Sequence, residues 1–238
     1  KHSAFVVLGA QQFFGFLTGA LLVLVTGAWS APALGKDGYL IPGILAGLAG
    51  YAGLVCLYAG LSTGRMGVVS PISSLSAVIP LSYALIFKGD QLTFLVSVGV
   101  VLATLGGFLA SGPEVSQGLP LKPVLLALGA AVSFGTALVF MSIGSKSSAL
   151  MTMATMRTST VLIGIYILLK SKNYRNFSAQ ELPVLIFIGV ADFAANLLLG
   201  VATTKGLMSL AMVLGSLYPI ATALLAYQLL HERLHKVQ

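Results

Sequence analysis

The stretch Gly206–Leu234, GLMSLAMVLGSLYPIATALLAYQLLHERL, decides how the rest of the chain is read. It is an apolar helix candidate with Pro219 near its middle and Glu232-Arg233 at its end. A partner lies 142 residues earlier, in Gly64–Leu92, GRMGVVSPISSLSAVIPLSYALIFKGDQL. At that offset Gly64 meets Gly206, Met66 meets Met208, Ser74-Leu75 meets Ser216-Leu217, Ala84 meets Ala226, Asp90 meets Glu232 and Leu92 meets Leu234. Extended to 44–92 against 186–234, eleven of 49 positions are identical. Apolar composition supplies some of these, so the ordered landmarks carry the inference of an internal duplication.

Composition sets the class. The chain of 238 residues is 57% hydrophobic and 8% charged, against roughly 25% charged in a soluble domain. Apolar runs of membrane-spanning length recur along it, because a ~30 Å hydrocarbon core needs about 20 helical residues. Without water, such spans must satisfy their own backbone, and continuous runs rather than alternation select helices over a barrel. The net charge of +7 sits between spans, where headgroups and the positive-inside rule account for it, so no nucleic-acid partner is expected. Cys56 is the single cysteine, which excludes a disulfide framework and a cysteine metal cluster; no cofactor or metal is expected.

The spans expected from the apolar runs are Ala4–Gly27, Leu40–Leu61, Val68–Phe87, Phe94–Ala110, Val124–Ile143, Leu150–Leu169, Leu182–Thr203 and Leu207–Leu230. Small-residue spacing in the second, with Gly43, Gly47, Gly50, Gly53 and Gly60, suits close helix packing in lipid. Residues 112–123, rich in Gly and Pro, form the expected linker between a first repeat (1–111) and a second (124–238). The matched landmarks are five helices apart, so each repeat unit has five. An odd unit inverts its second copy in the membrane, as in many secondary transporters. The expected fold is an all-α integral membrane protein: eight transmembrane helices of a ten-helix bundle built from two inverted repeats. The missing first and tenth helices are expected outside this chain.

These features together resemble the drug/metabolite transporter superfamily, in particular its EamA-type members. The resemblance rests on the small-residue helix, the Gly64 or Gly206 turn, the helix with SSL or GSLYP, and the acidic turn at Gly89-Asp90 or His231-Glu232-Arg233-Leu234. Asp90 stands where glutamate is more usual. The resemblance implies a multi-pass transporter or exporter in a plasma, inner or organelle membrane. It implies movement of a small polar metabolite (an amino acid, a nucleotide-sugar-like or a drug-like solute) by alternating access, with proton coupling as an option. It also implies a central cavity lined by spans two, three, seven and eight. The partners are then a small-molecule substrate and the lipid bilayer, and a homodimer is compatible with this arrangement. The alternatives are a polytopic membrane enzyme and a channel. All three histidines, His2, His231 and His235, lie at chain ends, and no paired carboxylates, Cys/His pair or phosphate-cradling glycines occur. A channel more often shows rings of like charge or a carbonyl filter.

Ionisable residues inside a membrane are costly and therefore candidates for function. Of six acids, Asp37, Asp90, Glu114, Glu181 and Glu232 fall at span ends or in loops, and Asp192 alone near a span centre. Of thirteen bases only Arg157 does so. Asn196 lies one turn after Asp192. Two readings compete: Arg157 and Asp192 pin two helices together, or they meet substrate or a proton in a cavity. Further substrate-binding candidates are Tyr51, Ser73, Ser76 and Tyr83, with Ser70 and Ser74 alongside, and Ser216 and Tyr218 with Gln228. The competing reading is that such serines bond back to their own helix. Gln11 and Gln12 point about 100° apart, so at most one faces a given cavity. Pro80 and Pro219 are expected to mark bends or loosened turns. Basic residues divide eight against four between alternate loops. That division would put the ends of a ten-helix parent outside, whereas the family resemblance implies cytoplasmic ends, and no orientation is assigned.

Overall fold

A computed structural model describes residues 4–63, 66–110, 121–171, 181–206, 208–215, 217 and 228. Among these residues every regular element is helical: α1 (Ala4–Thr26), α2 (Leu40–Leu61), α3 (Met66–Ser74), α4 (Val78–Phe87), α5 (Phe94–Ala110), α6 (Leu121–Ser171), α7 (Leu182–Lys205) and α8 (Met208–Gly215), with 3-10 turns at Ala28–Ser30 and Leu75–Ala77. A helix closes its backbone hydrogen bonds within itself, which an apolar solvent demands. Hydroxyls inside these helices follow the same rule, as when Thr18 and Thr26 donate to carbonyls four residues back.

Five stretches are long and apolar enough to cross a membrane: Leu8–Thr26, Leu40–Leu61, Val68–Phe87, Leu121–Ile165 and Leu182–Lys205. Helix α5 is a shorter apolar helix of 17 residues. The eighth expected span lies largely outside the described residues.

Two departures from straight helix have physical causes. The span 68–87 is split by the 3-10 turn at Leu75–Ala77. Pro80 has no N–H to give Ser76, and its ring crowds that carbonyl, so the regular ladder cannot run through this turn. Helix α6 has 51 residues, about 75 Å if straight, more than twice a hydrocarbon core. It breaks at Ser148, whose backbone is extended (φ −159, ψ 113). Ser148 Oγ accepts from the Met151 N–H at 3.2 Å, so this residue caps the second arm of α6. The bend is sharp: a Cβ on Gly144 would come within 2.8 Å of the Thr152 side chain, eight residues further on. This break falls between the expected fifth and sixth spans. Helix α6 also starts at Leu121, inside the expected linker, with Pro123 in its first turn, where a missing N–H costs nothing.

The chain packs as two compact units, Lys1–Tyr51 with Phe140–Lys205, and Ala52–Val139 with Gly206–Gln238. These are units of packing, and each draws on both halves of the sequence. In the first unit α1 packs along α7, and the second arm of α6 packs on α2. Its core includes the buried Phe193, Met141 and Met153. In the second unit α4 packs on α8 and α3 on α5, around the buried Val69, Met208, Met212 and Val213.

Candidate functional site

The first unit holds a buried polar cluster in the middle of its helices. Arg157, on the second arm of α6, donates from Nη1 to Gln12 Oε1 of α1 at 2.6 Å. Its Nη2 forms a salt bridge with Asp192 Oδ2 of α7. Thr160, one turn after Arg157, donates to the same Gln12 oxygen at 3.0 Å. Asn196 donates to the Asp192 backbone carbonyl at 2.8 Å and approaches Asp192 Oδ1 at 3.3 Å. Three helices are thus tied by one guanidinium. A buried charge of this kind needs a partner and further hydrogen bonds to be tolerated.

Local packing aims these groups. Gly189 lets α7 lie against α1: a Cβ there would meet the Phe14 Cβ at 2.5 Å and the Gln11 carbonyl at 3.0 Å. Phe193, fully buried, fills the space that Gly19 leaves empty and fixes the rotation of α7. With that rotation set, Asp192 falls beside Arg157. Gly15 leaves room for the Arg157 side chain, whose Nε would lie 3.4 Å from a Cβ there. The exposures of the pair are unequal, 5% for the Arg157 side chain and 29% for Asp192.

The structure therefore brings together three of the expected site residues, Arg157, Asp192 and Asn196. It adds Gln12 and Thr160, which were not among them. Gln12, 4% exposed, is the glutamine of the Gln11-Gln12 pair that enters the cluster. A single signal could have singled out Thr160: it lies one helical turn from the one basic residue near a span centre. Tyr51, on α2, is half-buried, and no described hydrogen bond links it to this cluster.

The remaining candidates lie in the second unit. Ser73 and Ser74 are buried and donate to the carbonyls of Ser70 and Pro71, three residues back on their own helix. Ser76 is buried in the 3-10 turn, and its carbonyl lies against Gly135 of α6. Tyr83 stacks on Phe87, with ring centroids 5.4 Å apart, and Phe87 is 75% exposed. Pro80 is fully buried, three residues beyond the end of the 3-10 turn. Ser216, Tyr218 and Pro219 lie outside the described residues, and so do Glu232 and the structure around it; of Gln228 only its exposed, helical position is described.

One further polar contact joins elements of this unit. Gly89 takes a left-handed backbone (φ 67), and the Asp90 N–H reaches back to the Ala84 carbonyl at 3.1 Å, closing the end of α4. That turn aims the Asp90 carboxylate at the start of α8, where Oδ2 accepts from the Ser209 N–H at 3.0 Å and from Ser209 Oγ at 2.8 Å. A carboxylate at a helix N-terminus satisfies an open donor and meets the positive end of the helix dipole. The acidic turn noticed in the sequence is thus a cap for α8.

Among the described residues no group of His, Cys, Asp and Glu could hold a metal ion. No curated protein matches the chain. Residues 121–238, from the start of α6 onward, match the EamA-like transporter family. With apolar helices of spanning length and that match together, the protein is a multi-pass integral membrane protein, and residues 121–238 belong to the EamA-like transporter family of the drug/metabolite transporter superfamily.

Proposed function

We propose that the protein is a secondary transporter that moves a small polar metabolite by alternating access of two inverted five-helix repeats, eight of whose helices this chain would supply. One observation carries the reading. Helix α7 crosses α1 through Gly189 against Phe14, and α2 crosses the second arm of α6 through Gly47 against Met156. A Cβ on Gly47 would lie 2.7 Å from the Met156 carbonyl and collide with Ser159 Oγ. Moving 142 residues along turns Phe14 into Met156 and Gly47 into Gly189. The two crossings are thus repeat-equivalents of each other, each made by one helix from either copy. That reciprocity supports a duplicated fold whose halves exchange helices, the arrangement in which substrates bind near mid-membrane.

Within this reading the Arg157–Asp192 pair lies on the cavity and governs how charge is handled. The pair sits near the middle of its helices, and among the described residues no nucleophile–base pair accompanies it, which favours transport over catalysis. Proton coupling through Asp192 belongs to the same proposal.

Purified protein in proteoliposomes, offered a panel of amino acids, amines, organic acids and nucleotide sugars, tests it. Accumulation of an unaltered solute above its equilibrium level under an imposed gradient is the expected result. Chemical conversion of a solute with none accumulating would make the protein a membrane enzyme and overturn the proposal.

A further inference from the structure

The two equivalent crossings match in spacing and differ in polarity, so one is an internal control for the other. At the 142-residue offset Gln12, Arg157 and Asp192 fall on Ala154, Gly15 and Gly50. The crossing of α2 with the second arm of α6 therefore closes through Gly47 and Met156 with small, uncharged residues at all three places. A crossing of this shape needs no ion pair. Desolvating two charges consumes most of what their attraction returns, so the fold gains little from carrying one.

What the cluster offers outward follows from its hydrogen bonds. The Arg157 side chain is 5% exposed, and both of its Nη atoms are engaged, one with Gln12 and one with Asp192. Asp192 is 29% exposed. A carboxylate has about four acceptor positions. Arg157 takes one, and Asn196 makes a long contact of 3.3 Å to another. On its open side Asp192 is flanked by Ala191 and Ala195, both exposed and too short to cover it. The pair is a dipole with its negative end outward, and an arriving anion would meet the carboxylate before the guanidinium.

We infer that Asp192 is a docking point for the ammonium group of a transported solute, with Arg157 and Gln12 holding the carboxylate in place from behind. This inference rests on the cavity-facing reading above. It selects amine-bearing solutes over simple organic anions, the opposite of what a lone intramembrane arginine would suggest.

Charge-selective labelling beside the carboxylate tests it without knowledge of the substrate. Ala195→Cys is made in the protein with Cys56, the cysteine of this chain, changed to serine. It is treated with cationic ethyltrimethylammonium and anionic ethylsulfonate methanethiosulfonates, each rate divided by that with a small free thiol. A nearby carboxylate should favour the cationic reagent about threefold or more, since a unit charge a few ångströms away still acts at an effective dielectric constant of about 20. Asp192→Asn should reverse the preference by leaving Arg157 unopposed. If that variant does not fold, Arg157→Gln/Asp192→Asn, which leaves no charge unpaired, should bring the ratio to that of the free thiol. Silence toward both reagents would mean that this side of α7 meets lipid, and equal rates or an anionic preference would mean that no acceptor faces outward; each overturns the inference. Solute accumulation measured on the same Ala195→Cys protein separates the two levels. Accumulation with failed labelling sinks the site alone, whereas loss of accumulation in the unmodified parent sinks the transporter reading.

Discussion

The Arg157 cluster of the first unit and helix α3 of the second spend their buried polar groups in different ways. In the first, Gln12, Arg157, Thr160 and Asp192 bond side chain to side chain between residues 35 to 148 positions apart. In the second, Ser73 and Ser74 bond to carbonyls three residues back on their own helix. A hydroxyl consumed by its own backbone ties nothing to anything else. Through these two hydroxyls α3, which ends at the turn Leu75–Ala77, gains no tie to another helix. The cluster of the first unit fixes the register of three helices at once. Buried polar side chains thus tie helices together at the Arg157 cluster, whereas those of Ser73 and Ser74 serve only their own helix.

Breaking the junction should have the largest effect. Arg157→Ala or Asp192→Ala alone leaves one buried charge unpaired and should cost about 3–5 kcal/mol. Removing both together should cost far less, within about 1.5 kcal/mol of the parent if the uncharged crossing at Gly47 is a fair guide. Thermal unfolding of the detergent-solubilised protein, run as a double-mutant cycle, measures both. A double variant as unstable as the singles would make the pair a structural requirement.

Gly47→Ala and Gly189→Ala come next. Each places a methyl against a backbone carbonyl or Cβ that cannot swing away, at a cost of about 1–3 kcal/mol. Because the crossings are equivalent, the two losses should be similar; a large loss at one position and none at the other would break the equivalence. Asp90→Ala should cost about 1 kcal/mol, the usual value of a helix cap, and Ser209→Ala less, because the Ser209 N–H keeps its acceptor. Ser73→Ala and Ser74→Ala should fall within about 0.5 kcal/mol of the parent, since each removes a bond from a carbonyl that the helix already occupies. A larger loss at either serine would show that it reaches beyond its own helix, and would narrow the difference between the units.

Much of this was legible in the sequence, for reasons that can be named. Hydrocarbon leaves a chain few options, so composition and run length pointed to helices, and α1 and α2 have the expected bounds to within one residue. The rarity of charge in apolar runs singled out Arg157 and Asp192, because only a paired or purposeful ion survives there. Long-range geometry was not legible. Nothing local says that Gln12 rather than Gln11 turns inward; the Gly189 contact and the seating of Phe193 decide it. The partner of Asp90 was equally hidden, since Ser209 lies 119 residues away and meets it only once α4 has ended in the turn at Gly89. Tyr83, picked out by helical spacing with Ser73 and Ser76, stacks instead on the exposed Phe87. Spacing gives a shared face and cannot say what that face meets.

The break at Ser148 also bears on how the protein is made. Its two arms leave the ribosome one after the other, joined by a single extended residue. The second arm can therefore follow the first without an intervening loop, with only Ser148 outside helical geometry between them. Between Lys122 and Arg157 the one charged side chain is Lys146, beside the bend. One lysine is then the only charge at the bend, and the acceptor that Arg157 uses, Gln12, lies on a helix synthesised before it.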